Sequence, residues 1–380
     1  MEKLKWGIVG GGEGSQIGKT HRMSATLDGF FEFTSAAMDI SPEKGIAYAQ
    51  KLGLSKDRSY GSWQEMLEKE SKQKEKLDLI TIATPNDSHF EIASAFLKEG
   101  FNVLCEKPLT LLLSEAEELV EIAKQKGVIC AVNFGYSGYA MVRQMKEMVK
   151  NGDLGAIRLV MAEFAHGFHA DAKEADNPRV RWRYQPEKAG VSGVFFDAGS
   201  HALYLSNYIL DDHVEKVSAD FCSCVKGRTL EDDAQINFRF KKGTVGRLWS
   251  SAIAVGRMHG LTISLYGEKG GLKWEQERPN QLYHTPLGKP TIVLERGADY
   301  LYEKAKQSSR VTIGHAEGFI GAFANIYSDL AEDLLEKKQN SSAKNDLSKQ
   351  YPTASDGVAN MKVIFAATKS AKENSSWILC

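Results

Sequence analysis

The first third of the chain alternates short apolar runs with stretches of helical period. The apolar runs are Trp6–Val9, Phe31–Met38, Leu77–Ala83, Asn102–Cys105 and Val128–Asn133, and the helical stretches between them include Pro42–Leu52, His89–Lys98 and Ser114–Lys126. Strict alternation of strand and helix is typical of a parallel sheet covered by helices. We therefore predict an α/β domain with a doubly wound parallel sheet over residues 1–135.

Residues 136–380 show a different pattern, because long alternating strands replace the strand-helix repeat. The predicted strands are Ile157–Ala165, Val214–Val225, Ala234–Phe240, Thr244–Ala254, Leu261–Tyr266 and Leu272–Glu277, and the predicted helices are Ala198–Ile209, Phe319–Glu336 and Val358–Lys372. Turn residues such as Lys242-Gly243 separate the strands. We predict a second, α+β domain with a mostly antiparallel sheet, whose last helix could pack back on the first domain. The polar run 337–350 is predicted as a mobile loop.

Composition excludes several classes of partner. Lys plus Arg total 48 and Asp plus Glu total 49, so no strong field exists to hold nucleic acid or an anionic membrane surface. The chain begins without a signal-peptide core and contains no apolar segment long enough to span a bilayer. The five cysteines have no CxxC spacing, which argues against a zinc site. We expect a cytoplasmic protein that acts on a small molecule and holds no metal.

A glycine-rich loop from Gly10 to Gly18 directly follows the first strand and precedes a helical stretch. This is the setting of a dinucleotide-binding turn, in which Gly10 permits the tight turn and Gly12 lets backbone N–H groups approach a pyrophosphate. If Gly18 is the third glycine of that motif, then 13–15 is an insertion. The alternative is a simple flexible turn.

Asp39 ends the second predicted strand, about twenty residues beyond the loop. A carboxylate at this position accepts hydrogen bonds from the adenosine ribose and repels a 2′-phosphate, so NAD is favoured over NADP. The alternative is an N-cap for the helix that begins at Pro42, although Ser41 is better placed for that role.

Two further motifs follow the third and fourth predicted strands of the first domain. Thr84-Pro85-Asn86 and Glu106-Lys107-Pro108 come directly after apolar runs. Ligands bind outside the carboxyl ends of parallel strands, so both motifs should face one crevice. The alternative for Lys107 is a solvated lysine in a turn.

In the second domain Asp197 and His201 are four residues apart, which is one helical turn, so both side chains could face the same side. A histidine there would serve as a proton acceptor near neutral pH. The alternative is an aspartate N-cap with a core histidine.

Taken together and in this order, these motifs, with His21 and His89, resemble the Gfo/Idh/MocA oxidoreductases over nearly the whole chain. The stretches 182–186, 265–271 and 314–319 are most similar to levoglucosan dehydrogenase and related glycoside 3-dehydrogenases. The resemblance implies an N-terminal Rossmann domain and a C-terminal domain whose open sheet forms a homodimer or homotetramer. It also implies hydride transfer between NAD(P) and a sugar or cyclitol carbon.

The resemblance also assigns roles to individual residues. Lys107, Asp197 and His201 become catalytic, and Tyr136, Arg181, Trp182 and His315 become candidate substrate contacts. The implied cofactor contacts are Gly10, Gly12, Gly14, Ser15, Gln16, Ile17, Asp39, Thr84, Pro85, Asn86, His89, Glu106, Lys107 and Asn133. For Tyr136 and Trp182 the alternative is ordinary packing, and for His315 it is a helix cap.

The predicted function is NAD-dependent oxidation of a secondary ring hydroxyl of a pyranose, a sugar derivative or a cyclitol, at C3 for a glucopyranose. An inositol dehydrogenase or a keto-sugar reductase of the same fold stays open as an alternative. So does a non-catalytic sensor that binds NAD(H), although a sensor has no need of proton-transfer groups.

Overall fold

A computed structural model describes residues 3–177, 180–339 and 351–380. The chain divides into two compact units. Unit 1 takes Met1–Gly138 and Ile320–Val358, and unit 2 takes Tyr139–Phe319 and Ala359–Cys380. Within the described residues no helix is long and apolar enough to span a membrane.

Unit 1 contains the predicted parallel sheet, with strand order β2-β1-β3-β4-β5. Its strands are β1 (Leu4–Gly10), β2 (Phe31–Ala37), β3 (Leu79–Ala83), β4 (Val103–Glu106) and β5 (Cys130–Asn133), and its first helices are α1 (Gln16–Leu27), α2 (Pro42–Lys51), α3 (Trp63–Ser71), α4 (His89–Lys98) and α5 (Leu113–Lys126). All residues of β3 and β4 are buried, as in a sheet covered on both faces. The doubly wound prediction is confirmed.

The strand order reverses between β1 and β3, because the chain builds outward first to β2 and then, through β3, in the opposite direction. Crossover connections on opposite sides of such a point leave a crevice at the carboxyl ends of the two strands. The loops that follow β1 and β3 are the glycine loop and the Thr84 segment. Topology alone therefore places two of the predicted motifs beside the crevice.

Unit 2 is built on a large, mostly antiparallel sheet with order β13-β12-β11-β10-β6-β9-β8-β7-β14. Its elements are α6 (Ala140–Lys150), β6 (Ile157–Ala165), α7 (Pro186–Ala189), α8 (Ser200–Leu210), β7 (Val214–Cys222), β8 (Asp233–Phe240), β9 (Val245–Ser251), β10 (Leu261–Gly267), β11 (Gly270–Glu275), β12 (Gln281–Pro286), β13 (Ile292–Glu295), α9 (Glu303–Gln307) and the C-terminal β14 (Ile378–Leu379). Among the strands of the described residues, β6 and β9 form the one parallel pair of this sheet. The predicted architecture is confirmed.

Several predicted bounds in unit 2 were wrong. The strand predicted to reach Val225 ends at Cys222, because the Asp232 carboxylate accepts the backbone N–H groups of Cys224 and Val225 at 2.8 and 2.9 Å and turns the chain into a loop. Strands β12, β13 and β14 were not predicted.

Two long helices, α10 (Phe319–Gln339) and α11 (Ala354–Lys372), precede the C-terminal strand β14. All of α10 beyond its first residue belongs to unit 1, where Tyr327 and Leu330 join the core around Trp6. Of the loop predicted for 337–350, the first three residues are helical, and the rest lies outside the described residues.

Candidate active site

The glycine loop joins β1 to α1 with a backbone that few other residues can adopt. Gly10 has a φ of +82°, and a Cβ built on it would lie 2.5 Å from the carbonyl oxygen of Ala83. A Cβ on Gly18 would overlap the Cα of Gly11. The first glycine therefore allows the turn, and Gly18 lets α1 pack directly on the loop.

The start of α1 offers an anion site beside this loop. Ser15 is the N-cap, and its hydroxyl accepts the N–H of Gly18 at 3.1 Å. Gln16 and Ile17 form the first turn, where backbone N–H groups point out of the helix and the helix dipole favours negative charge. Gly12 and Gly14 lie in the loop that leads to this turn.

Asp39 follows β2 and is exposed. One carboxylate oxygen accepts the N–H of Ser41 at 2.9 Å, while the other lies 3.4 Å from the position a Cβ on Gly12 would occupy. The carboxylate therefore borders the glycine loop. Arg22 is also near the loop, where its guanidinium donates to the carbonyl of Gly11 at 2.9 Å and to the hydroxyl of Tyr48 at 3.0 Å.

The Thr84 segment is tied to the loop that follows β4. His89 is fully buried, and its ring nitrogens lie 2.8 Å from the carbonyl oxygen of Pro108 and 3.0 Å from that of Thr84. Burial lowers the pKa of His89, so the ring is neutral and donates to one of these oxygens. The structure thus places His89 beneath the two loops, while Thr84 and Asn86 are partly exposed and Pro85 is exposed.

A buried carboxylate anchors the point where Lys107 leaves β4. Glu106 is 9% exposed and accepts hydrogen bonds from His21 Nε2 at 2.9 Å, from the side-chain amide of Asn133, and from the N–H of Lys107 at 3.2 Å. Burial raises the pKa of Glu106, but the bonds from His21 and Asn133 and the charge of Lys107 outweigh burial, and the pKa lies below its usual value. Glu106 is therefore an anion. Lys107 itself is partly exposed.

In unit 2, Asp197 lies just before the regular α-helix that carries His201. Residues 195–199 form a π-helical turn and α8 begins at Ser200. Such turns change the direction of side chains within a helix and are frequent at functional sites. Two further groups support the turn. Arg183 Nε donates to Asp197 Oδ2 at 3.0 Å, and the carboxylate of Glu231 accepts the N–H of Phe195 at 3.1 Å.

Glu231 binds the backbone at the start of this turn. Its carboxylate also accepts the N–H of Gly193 at 2.8 Å and the hydroxyl of Ser192 at 2.5 Å. Burial raises the pKa of Glu231, although these hydrogen bonds act in the opposite direction. The position of Asp197 thus depends on a buried carboxyl group that the sequence did not indicate.

A pocket within unit 2 opens beside Asp197. Its polar and aromatic lining comprises His166, His169, Arg183, Tyr184, Asp197, Arg228, Glu231 and Asp232. Burial, aided by the charge of His169, lowers the pKa of His166 to about 4, and burial also lowers the pKa of His169. The pocket therefore presents neutral imidazoles, guanidinium donors and an aspartate, which can bond the hydroxyls of an uncharged ligand.

Further hydrogen bonds hold this lining in place. The hydroxyl of Tyr184 bonds His169 Nδ1 at 2.8 Å, and the guanidinium of Arg228 lies 4.8 Å from the Tyr184 ring centroid. Sequence reasoning missed His166 and His169, although two histidines flanking an aromatic residue at the end of a long strand were a usable signal.

The residues predicted to contact substrate are spread over both units. Tyr136 is buried in unit 1. In unit 2, Arg181 is exposed and Trp182 is half-buried with the Arg183 guanidinium 4.4 Å from its ring centroid. His315 is exposed, and its carbonyl accepts a hydrogen bond from the buried Arg296. Of these four residues, Trp182 is in contact with a residue that lines the pocket.

Comparison with known proteins agrees with this architecture. Residues 4–134 match the sequence model described as "Oxidoreductase family, NAD-binding Rossmann fold", and residues 142–273 match the model of the GFO/IDH/MocA C-terminal domain. The uncharacterized oxidoreductase YfiI of Bacillus subtilis (strain 168) is 35% identical over 380 residues, which covers 99% of this chain and 96% of that protein. The NAD-binding prediction is confirmed by the match of the first domain.

Two further relatives have described ligands or activities. The inositol dehydrogenase homolog of Azotobacter vinelandii is 36% identical. In its complex with NAD+ it aligns with a TM-score of 0.96 over 100% of this chain and 98% of that one. The same homolog complexed with NADH and myo-inositol aligns with a TM-score of 0.93. Levoglucosan dehydrogenase of Pseudarthrobacter phenanthrenivorans is 24% identical over 311 residues, which covers 74% of this chain and 76% of that enzyme.

The two domain models together match more than half of the chain, and the resemblance first suggested by the motifs is confirmed. The chain belongs to the Gfo/Idh/MocA family of oxidoreductases.

Proposed function

We propose that this protein is an NAD-dependent dehydrogenase that oxidises a secondary hydroxyl of a six-membered ring, in a cyclitol or a pyranose, to the ketone. The observation that carries the proposal is the pocket beside Asp197. Its donors, acceptors and aromatic rings suit a neutral ring with several hydroxyls and an apolar C–H face.

The glycine loop and α1 fit the pyrophosphate of NAD, because a side chain at Gly10 or Gly18 would fill the space that the turn requires. Ser15, Gln16 and Ile17 would hold the phosphates, and the exposed carboxylate of Asp39 would hold the ribose and repel a 2′-phosphate. When bound, NAD supplies the carbon that accepts the hydride.

The chemistry proposed for this chain's own residues is proton transfer and stabilisation of charge. His201 takes the proton of the substrate hydroxyl, and Lys107 donates a hydrogen bond to the oxygen as negative charge develops there. Asp197 orients the imidazole or a neighbouring hydroxyl. The ion pair with Arg183 holds the Asp197 carboxylate in place at the pocket.

The similarity to a protein crystallised with myo-inositol favours a cyclitol as substrate. The motifs shared with levoglucosan dehydrogenase favour a glucopyranose with oxidation at C3. The two substrate classes are distinguished by assaying a panel of inositol isomers and pyranosides. Each compound is tested with NAD+ and with NADP+, and the absorbance of the reduced cofactor reports turnover. NMR of the product then identifies the oxidised carbon. Activity confined to acyclic hydroxy acids or aldehydes would reject the ring substrate.

The catalytic assignments are tested with the best substrate from that panel. Lys107→Met and His201→Asn should each lower kcat by roughly two to four orders of magnitude, while the affinity for NAD+ changes less. The matched controls are Lys124→Met and His213→Asn, which change exposed residues of the same type in the same unit. Near-normal turnover in a correctly folded Lys107 or His201 variant would refute its role. Tight NADH binding without turnover on any polyol would support the sensor instead.

A further inference from the structure

A line of buried hydrogen bonds crosses unit 1 and ends at the carboxylate beside Lys107. The indole N–H of Trp6 donates to Thr81 Oγ1 at 2.9 Å, and Thr81 Oγ1 lies 2.8 Å from the hydroxyl of Tyr327. That hydroxyl lies 2.8 Å from His21 Nδ1, and His21 Nε2 lies 2.9 Å from Glu106 Oε1. None of the first four residues is more than 2% exposed. We call these five side chains the buried relay.

The chemistry of its two ends gives the relay a direction. The indole of Trp6 can only donate, so Thr81 accepts from it and has its own proton to give to Tyr327. The carboxylate of Glu106 can only accept, so His21 Nε2 donates to it, and in the tautomer with its proton on Nε2 the Nδ1 atom accepts from the Tyr327 hydroxyl. Each link then carries one proton, and every buried donor has an acceptor.

The relay ends where the backbone turns toward Lys107. The second oxygen of Glu106 accepts the N–H of Lys107, and the side chain of Asn133, at the end of the neighbouring strand, donates to the first oxygen. Rotation of the Glu106 carboxylate would break bonds on both sides. Whatever fixes the ring of His21 therefore also fixes the peptide from which the Lys107 side chain starts.

We propose that Tyr327 and His21 are positioning residues for Lys107. The hydroxyl of Tyr327 holds His21 in the tautomer and orientation that donate to Glu106, and Glu106 fixes the backbone N–H of Lys107. The inference rests on the proposed function, because it assigns these residues to the reaction step in which Lys107 acts. Tyr327 lies on α10, the segment that returns to unit 1 after strands β6 to β13 of the unit 2 sheet.

A double-mutant cycle separates positioning from a role in stability alone. Tyr327→Phe removes only the hydroxyl and should lower kcat by roughly ten- to a hundredfold, because small displacements of a catalytic group are costly. The affinity for NAD+, measured by titration, should change little. Tyr351→Phe is the matched control, since Tyr351 is a buried tyrosine of unit 1 whose hydroxyl donates to Asp333 instead.

The decisive comparison uses Lys107→Met. If Tyr327 acts through Lys107, adding Tyr327→Phe to Lys107→Met should lower kcat no further, since the group to be positioned is already gone. The inference would be overturned if the fold-losses in kcat of the two single variants multiplied in the double variant. It would also be overturned if Tyr327→Phe alone left kcat unchanged. Should Tyr327→Phe fail to fold, His21→Gln takes its place in the same cycle with the same expected result. Normal turnover of Lys107→Met alone would instead overturn the proposed role of Lys107, so the two failures are distinguishable.

Discussion

Lowering the pH from 7 to 5 should destabilise the protein through His166. This residue is 7% exposed and packs on two aromatic rings, with centroid distances of 6.2 Å to Phe164 and 5.0 Å to Phe168. Burial lowers its pKa from 6.5 to about 4. The unfolded chain therefore binds a proton between these values while the folded protein does not. Stability is complete above the unfolded pKa and is lost as the pH falls from 6.5 toward 4.

The size of the effect follows from linkage between protonation and folding. With pKa values of 6.5 unfolded and about 4 folded, this one group should remove about 2 kcal/mol of unfolding free energy between pH 7 and pH 5. The pKa values of His169 and His259 are also lowered by burial, so their contributions have the same sign. The wild type should therefore lose more unfolding free energy between pH 7 and pH 5 than His166 alone accounts for.

The measurement is urea unfolding at pH 7 and pH 5, followed by circular dichroism, for the wild type and for His166→Gln. The variant should lose about 2 kcal/mol less than the wild type between the two pH values. The substitution also costs stability through altered packing, by the same amount at both pH values. This cost cancels because the change in unfolding free energy between pH 7 and pH 5 is taken within each protein. His213→Gln, at an exposed histidine of unit 2, is the control. An equal pH dependence in wild type and His166→Gln, or an NMR titration of His166 near 6.5, would refute the reasoning.

Two further predictions concern the cofactor. Asp39→Ala should narrow the preference for NAD over NADP in kcat/KM, because it removes a carboxylate that repels the 2′-phosphate. A wild type that already prefers NADP would show that Asp39 does not bind the ribose. An unchanged cofactor preference in Asp39→Ala would show the same. Gly18→Ala should weaken NAD+ binding measured by calorimetry, because the added methyl overlaps Gly11 and must push α1 away from the loop. Gly357→Ala is its control, a glycine of α11 in unit 1 whose new Cβ would meet the side chain of Leu109 at 3.0 Å, and equal losses in both variants would contradict this account.

Local patterns in the sequence were sufficient to predict the alternating strands of unit 1, the glycine loop and the place of Lys107 at the end of β4. They were sufficient because periodicity and turn chemistry depend on neighbouring residues, and because parallel strands bring their carboxyl ends to one edge. The helix predicted from Ala198 begins instead at Ser200, and the π-helical turn that precedes it was not predicted. The π-helical turn there depends on Glu231, whose hydrogen bonds to it span more than thirty residues.

Tertiary structure alone decided which partners surround the predicted residues. Arg183 pairs with Asp197, and Tyr327 reaches His21 across 306 residues of sequence. Neither pairing leaves a local signal, since an arginine or a buried tyrosine is equally compatible with many neighbours until the chain is packed. The sequence determined where the reactive groups stand along their strands and helices. Packing determined the hydrogen bonds that hold them. Buried polar groups need hydrogen-bond partners, and the tertiary structure decides which donors and acceptors lie within reach.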